Sequence, residues 1–288
     1  MGADLKVVSS GIISSIRSII RKQIRAIFPY IRRPLAPLCM SPAFLMLGAQ
    51  KAGTTSLFYY LTQHPDILMP VVQKELHYFD LNYHFGPKWY QSHFPLQRNG
   101  KITGEKSPYY IYHPLVPRRS HAFNPNLKFI VLLRDPVKRA YSHFHHEIEN
   151  GRENRSFRQA VDSEVERVEI DHLKLARSEI TYSASHQRYS YYARGKYLEQ
   201  LDLWMEFFPR DQLYLETAER FFKEPQTICF EIFDFLGLEP YQSSTEKRYN
   251  PGKYNPISES DKYWLADMYR EANQKLKKAY GVEISDWT

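Results

Sequence analysis

The sequence predicts one α/β domain with a central parallel sheet and helices on both faces, preceded by a basic amphipathic arm. Three observations carry that expectation. Phe44 to Leu47 form a short apolar run that breaks at Gly48 into a glycine-bounded loop and then into a helical pattern. Lys128 to Leu133 (KFIVLL) lack the polar alternation of a half-exposed strand, as a strand buried on both faces should. No internal repeat, low-complexity tract or Gly/Ser linker divides the 288 residues, and at 43% hydrophobic they suffice for one large core. The expected organisation is an arm and linker over 1–40 and a single domain over 41–288.

In the arm, Ile12, Ile13, Ile16, Ile19, Ile20, Ile24 and Ile27 recur at helical spacing, with Arg17, Arg21, Lys22 and Arg25 between them. Such a helix can lie in an anionic membrane surface through residues 10–33, its apolar face in the acyl boundary and its cations among headgroups. Packing on the domain or service as a transit peptide stay open, since residues 5–65 contain no Asp or Glu. No run approaches the ~20 apolar residues a membrane span needs. Of the net charge of +7, the first 40 residues hold +6, from seven Lys/Arg against Asp4. The body is therefore nearly neutral, and no nucleic-acid partner is expected. Cys39 and Cys229 are the only cysteines, which argues against a disulfide framework and fits a cytoplasmic protein with peripheral membrane attachment. Pro29, Pro34 and Pro37 mark the linker.

The stretch GAQKAGTTSL (Gly48 to Leu57) then joins strand to helix. Successive backbone N–H groups and a helix N-terminus aimed at one point form an anion cradle. A triphosphate loop reads GxxxxGK[ST]. Gly48 and Gly53 keep that spacing, but Thr54 stands where the lysine belongs, and Lys51 lies inside the loop. The pattern suits a single 5′-phosphate better than a triphosphate.

GAQKAGTTSL resembles the 5′-phosphosulfate loop of sulfotransferases that use 3′-phosphoadenylyl sulfate, and KFIVLLRDPVKRAYSHF (Lys128 to Phe144) resembles their 3′-phosphate-binding segment. KELHYFD (Lys74 to Asp80) is similar to the segment carrying the catalytic base in the heparan-sulfate and related carbohydrate branch. The likeness covers about residues 42–287. It implies a P-loop-like three-layer fold, a donor bound by Lys51, Ala52, Gly53, Thr54, Thr55 and Ser56, and a 3′-phosphate held by Arg134 and Ser142. It further implies Glu75 as base, with Lys51 and His77 in the catalytic set and Lys74 and Asp80 supporting acceptor and donor. KRYNPGKYNP (Lys247 to Pro256) looks like the segment that closes over the 3′-phosphate, with Arg248, Gly252 and Lys253 as its candidates, although its spacing departs from that branch.

Between these motifs, helices are expected over 55–63, 198–207, 221–236 and 261–280, and strands at 67–69, 101–105 and 212–216. The aromatic and histidine-rich stretch 78–94 can stack on a sugar or fill core, which is its commoner use. GEKSPYY (Gly104 to Tyr110) follows a strand end, where open α/β sheets place ligands, so Glu105 and Lys106 are substrate-side candidates. His143, His146 and Glu147 have i, i+3, i+4 spacing that can bind a metal, yet no further ligand cluster accompanies them, and no metal is expected. Residues 151–190 read as a solvated, charge-alternating face or as a wall of the site.

The resulting expectation is transfer of a sulfonyl group from 3′-phosphoadenylyl sulfate to a hydroxyl or amine of an acceptor, a carbohydrate or glycolipid first, leaving 3′-phosphoadenosine 5′-phosphate. Two rivals remain. A P-loop nucleotide kinase would need an acidic magnesium ligand, for which Asp135 is the easy candidate. A non-catalytic, membrane-tethered relative would keep the cradle without using it.

Overall fold

The computed structural model describes residues 23–24, 27–244 and 254–288. Five strands, β1 (Phe44–Gly48), β2 (Ile67–Leu68), β3 (Ile102–Lys106), β4 (Lys128–Leu133) and β5 (Leu213–Thr217), form one sheet in the order β2-β3-β1-β4-β5. Every pairing is parallel. The helices are α1 (Thr54–Leu61), α2 (Pro87–Gln91), α3 (Val116–Phe123), α4 (Pro136–Glu149), α5 (Phe157–Asp162), α6 (Glu164–Ala176), α7 (Ala184–Arg188), α8 (Tyr197–Met205), α9 (Ala218–Lys223), α10 (Pro225–Leu236) and α11 (Glu259–Tyr280).

All of β1, and β4 from Phe129 onward, are buried, so successive side chains that point to opposite faces both meet protein. That is the three-layer arrangement expected. The main core runs along the sheet, and a second cluster of Val137, Ala140, Phe144, Phe157, Leu265 and Tyr269 ties α4, α5 and α11 together. Asp135 caps α4 by accepting from Val137 N (2.9 Å) and Lys138 N (3.3 Å), and Pro136 takes the first turn, where its missing N–H costs nothing. The carboxyl ends of β1, β3 and β4 consequently open on one side, each feeding a loop into the same crevice.

Two expectations are corrected here, and one open alternative is resolved toward core. The stretch taken as linker is docked: Arg33–Leu38 form a 3-10 turn, Met40 N donates to Pro95 O (2.8 Å), and Gln97 N donates to Leu38 O (2.9 Å). Pro34 and Pro37 fit a tight turn as well as a linker, and sequence alone does not separate the two. The helix expected over 221–236 is two helices, because Pro225 has no N–H to continue the first and instead starts the second. Trp89, Tyr90 and Phe94 from the aromatic stretch are core. Most of the amphipathic arm lies outside the described residues; within them 23–24 and 27–32 are helical, with Ile24, Ile27 and Ile31 exposed. Among the described residues no helix is long and apolar enough to cross a membrane.

Candidate active site

The crevice is a cavity of about 740 Å³ lined by the loop after β1, the segment after β3, Arg134 after β4, side chains of α4 and α7, and Glu75 and His77. Among the described residues its lining carries six Lys/Arg side chains, Lys51, Lys106, Arg134, Arg152, Arg188 and Arg194, against the carboxylates Glu75 and Glu147.

The loop from Gly48 to Gly53 turns through positive φ at Lys51 (70°) and Gly53 (85°). A Cβ on Gly53 would stand 2.7 Å from Phe222 Cζ, so glycine is required for both conformation and space. Gly53 caps α1 with no side-chain acceptor, which leaves the N–H groups of the first turn for a ligand. Lys51, Gly53, Thr54 and Thr55 line the cavity. Ala52 and Ser56 are buried behind it. Burial lowers the Lys51 pKa from its ordinary value; Glu149 opposes that and Arg134 adds to it. Arg134 Nη1 donates to Lys51 O (2.8 Å), so the arginine also fixes the loop. Ser142, two turns along α4, lines the cavity with Arg134.

Glu75 reaches the cavity from the opposite wall. Its Oε1 lies 2.6 Å from Lys106 Nζ and its Oε2 lies 3.5 Å from His77 Nε2. Burial works to raise the Glu75 pKa, but His77 and Lys106 outweigh it and pull it down to about 2. His77 sits in the left-handed region (φ 49°), and its Nδ1 is 2.8 Å from Oδ2 of the buried Asp80. Burial disfavours the imidazolium, while Asp80 and then Glu75 overcome that and raise its pKa to about 10. At neutral pH this is an ionised carboxylate between two cations, backed by a second carboxylate. Lys106 Nζ also donates to Thr55 Oγ1 (3.1 Å), which joins the Glu75 group to the anion loop.

Some expected site residues stand elsewhere. Glu105 does not reach the cavity: it is fully buried, with Oε1 accepting from Tyr90 and Tyr110 hydroxyls (2.8 Å each) and Oε2 from Leu76 N (3.0 Å) and Ser107 Oγ (3.2 Å). Its place on β3 next to Lys106 hides the fact that neighbouring strand residues face opposite ways. Lys74 is exposed and donates to the Tyr59 hydroxyl over that ring, outside the cavity lining. Asp80 is outside the cavity lining and touches it only through its 2.8 Å contact with His77 Nδ1. Arg248, Gly252 and Lys253 lie outside the described residues. Of the possible metal ligands, His146 and Glu147 line the cavity, whereas His143 is buried against the Tyr191 ring. Asp135, which a kinase would need for magnesium, is buried as a helix cap and bound to Lys138 (3.1 Å).

Sequence reading missed Gln50, Tyr109, Arg152, Gln187, Arg194 and Phe222, all in the lining. Arg194 directly precedes Gly195-Lys196-Tyr197, the glycine-led start of α8, which was the available signal. The charged stretch 151–190 is both things considered: an exposed outer face and, through Arg152, Gln187 and Arg188, a wall of the site.

Residues 41–283 match the sulfotransferase domain family. The chain is 27% identical over 307 aligned positions to the membrane-associated sulfotransferase kil1 of Dictyostelium discoideum, covering 83% of this chain and 65% of that protein. It is 32% identical over 215 positions to the human heparan sulfate glucosamine 3-O-sulfotransferase 6, covering 75% and 58%. The chain thus spans less than two thirds of the length of these relatives. Among solved structures, a sulfotransferase from Alicyclobacillus acidocaldarius superposes with a TM-score of 0.70 at 25% identity, covering 86% of this chain and 99% of that one.

Proposed function

The chain belongs to the sulfotransferase domain family, and from that premise we propose that it moves a sulfonyl group from 3′-phosphoadenylyl sulfate to a hydroxyl or amine of a carbohydrate acceptor. The observation that carries the reading is the placement of Glu75 in one cavity with the anion loop and linked to it through Lys106 and Thr55.

The lining fits such a donor. An uncapped helix start, a glycine that no other residue can replace without strain, and a surplus of cations suit a dianionic phosphosulfate at the loop and a second phosphate at Arg134 and Ser142. When bound, the donor supplies a sulfonyl group on a 5′-phosphate oxygen. Lys51 and the loop N–H groups meet the charge that grows on that oxygen as it leaves. Glu75 accepts the proton of the acceptor hydroxyl or amine as the bond from that atom to sulfur forms. A carboxylate held near pKa 2 is a weak base, so an anion on the loop that draws Lys106 toward itself raises the basicity of Glu75 as the site fills. His77, fixed by Asp80, orients Glu75 and keeps a positive charge beside it.

Carbohydrate is favoured by relatives named for acting on heparan sulfate and by the KELHYFD segment. The basic arm, and a relative named as membrane-associated, support peripheral attachment to an anionic membrane surface. The test of the chemistry is Glu75→Gln. A positioned base contributes ~10² to 10⁴-fold. The variant should bind 3′-phosphoadenosine 5′-phosphate nearly as the wild type does while transfer to a glycan acceptor falls by about that factor; retained transfer would remove Glu75 as the base.

A further inference from the structure

We propose that Arg194 is a third anion-binding point of the cavity, beside the loop after β1 and the Arg134–Ser142 pair, and that it receives a sulfonate, phosphate or carboxylate of a bound substrate. Arg194 is 4% exposed, yet it lines the cavity. Its guanidinium donates to Gln50 Oε1 and to Gln187 O (2.6 Å) and lies 4.6 Å over the Tyr109 ring. None of these partners carries a negative charge. Its Nε has no partner among the described residues. Glu147, the carboxylate it feels electrostatically, is bound by Arg152 (3.4 Å).

A buried cation without a counter-charge is expensive, and the neutral dipoles of Gln50 and Gln187 offset only part of that cost. The surroundings make it worse, because Arg139 is wholly buried nearby with Nε and Nη1 unpartnered. Such an arrangement is relieved when a ligand brings the missing charge. The position is also firmly built: buried Glu164 accepts from Tyr192 N (2.5 Å) and Ala193 N (2.8 Å), holding the turn on which Arg194 sits. Glu164 is therefore a positioning residue for the guanidinium. Because Gln50 adjoins Lys51 while Tyr109 comes from the segment after β3, the anion belongs either to the sulfonyl group in transfer or to the acceptor. The identity of these two sources rests on the sulfonyl-transfer reading.

The test uses wild type, Arg194→Lys and Arg194→Gln. Calorimetry would compare 3′-phosphoadenosine 5′-phosphate with its sulfonated parent, and initial rates would compare an oligosaccharide bearing carboxylates with its carboxyl-reduced counterpart. The unsulfonated nucleotide should bind all three proteins within about twofold. Arg194→Gln should lose about tenfold either in preference for the sulfonated donor, assigning the sulfonyl group, or in KM for the charged oligosaccharide over the neutral one, assigning the acceptor. Arg194→Lys should recover part of either loss. Unchanged preferences, or equal losses for every ligand, overturn the proposal. Thermal melts with sodium sulfate separate it from the reading beneath it. If the wild type binds no adenosine ligand, the sulfonyl-transfer reading falls. The anion site then stands if sulfate raises the wild-type melting temperature more than that of Arg194→Gln, and falls if the two respond alike.

Discussion

Replacing Glu105 by Gln should damage the active site from beneath it. The four hydrogen bonds that Glu105 accepts extend further, since Ser107 Oγ accepts from His77 N (3.2 Å) and the Tyr110 hydroxyl accepts from Tyr78 N (2.7 Å) and Phe79 N (3.2 Å). Leu76 N donates to Glu105 itself (3.0 Å). Four consecutive backbone donors, 76 to 79, thus hang on one buried carboxyl, and the segment they belong to presents Glu75 and His77. Glutamine keeps one acceptor oxygen for the two tyrosines but turns an NH₂ toward the Leu76 N–H. One buried donor is left without an acceptor, at a cost of about 1–3 kcal/mol. For a chain of this size that lowers the melting temperature by several degrees, at about 2–4 °C per kcal/mol. Calorimetric or fluorescence melting would read the stability. Steady-state kinetics should show kcat falling more than donor KM rises, because on the proposed reading Glu75 and His77 serve the acceptor proton and not the nucleotide. An unchanged melting temperature together with an unchanged kcat would refute the claim that Glu105 supports the segment.

Two further outcomes follow from the same geometry. Gly53→Ala forces a left-handed residue, costing about 1–2 kcal/mol, and pushes a Cβ to 2.7 Å from Phe222. Its melting temperature and its calorimetric affinity for 3′-phosphoadenosine 5′-phosphate should both fall, and a variant that melts and binds as wild type does would show the loop to be tolerant. Burial raises the carboxyls of Glu105 and Glu164 to about 7 against the hydrogen bonds they accept. A raised acid is favoured in its protonated form by the fold, so the stability contributed by each carboxyl declines from about pH 4.5 to about pH 7 and then levels off, by on the order of 3 kcal/mol for Glu164. His113, whose pKa burial holds down to about 4, works in the opposite sense over the same range, so the readout is a difference between proteins. Between pH 5 and pH 8, urea denaturation should show a change in stability less favourable in the wild type than in Glu164→Gln; equal changes would remove Glu164 as a source.

What the sequence made legible was what lies close together along the chain. Unbroken apolar runs located β1 and β4, and helical spacing with its stops located α1 and α11, each within a residue or two, because such runs and stops are local. The anion loop was legible for the same reason, since Gly48, Lys51 and Gly53 act through one continuous backbone. Glu105 was misjudged because its neighbour Lys106 does reach the site, and only the pleat of β3 decides which of the two faces the cavity. Arg194 was passed over because its partner Gln50 is 144 residues away. Docking of residues 33–40 was equally hidden, as its partners Pro95 and Gln97 follow a separate helix.

The most direct test of the donor assignment is calorimetric titration of 3′-phosphoadenosine 5′-phosphate against ADP and ATP, on wild type and Arg134→Ala. The account predicts a strong preference for the 3′-phosphorylated ligand in the wild type that is lost in the variant. Equal binding of all three ligands, or preference for ATP, would contradict it and take the 3′-phosphate from Arg134.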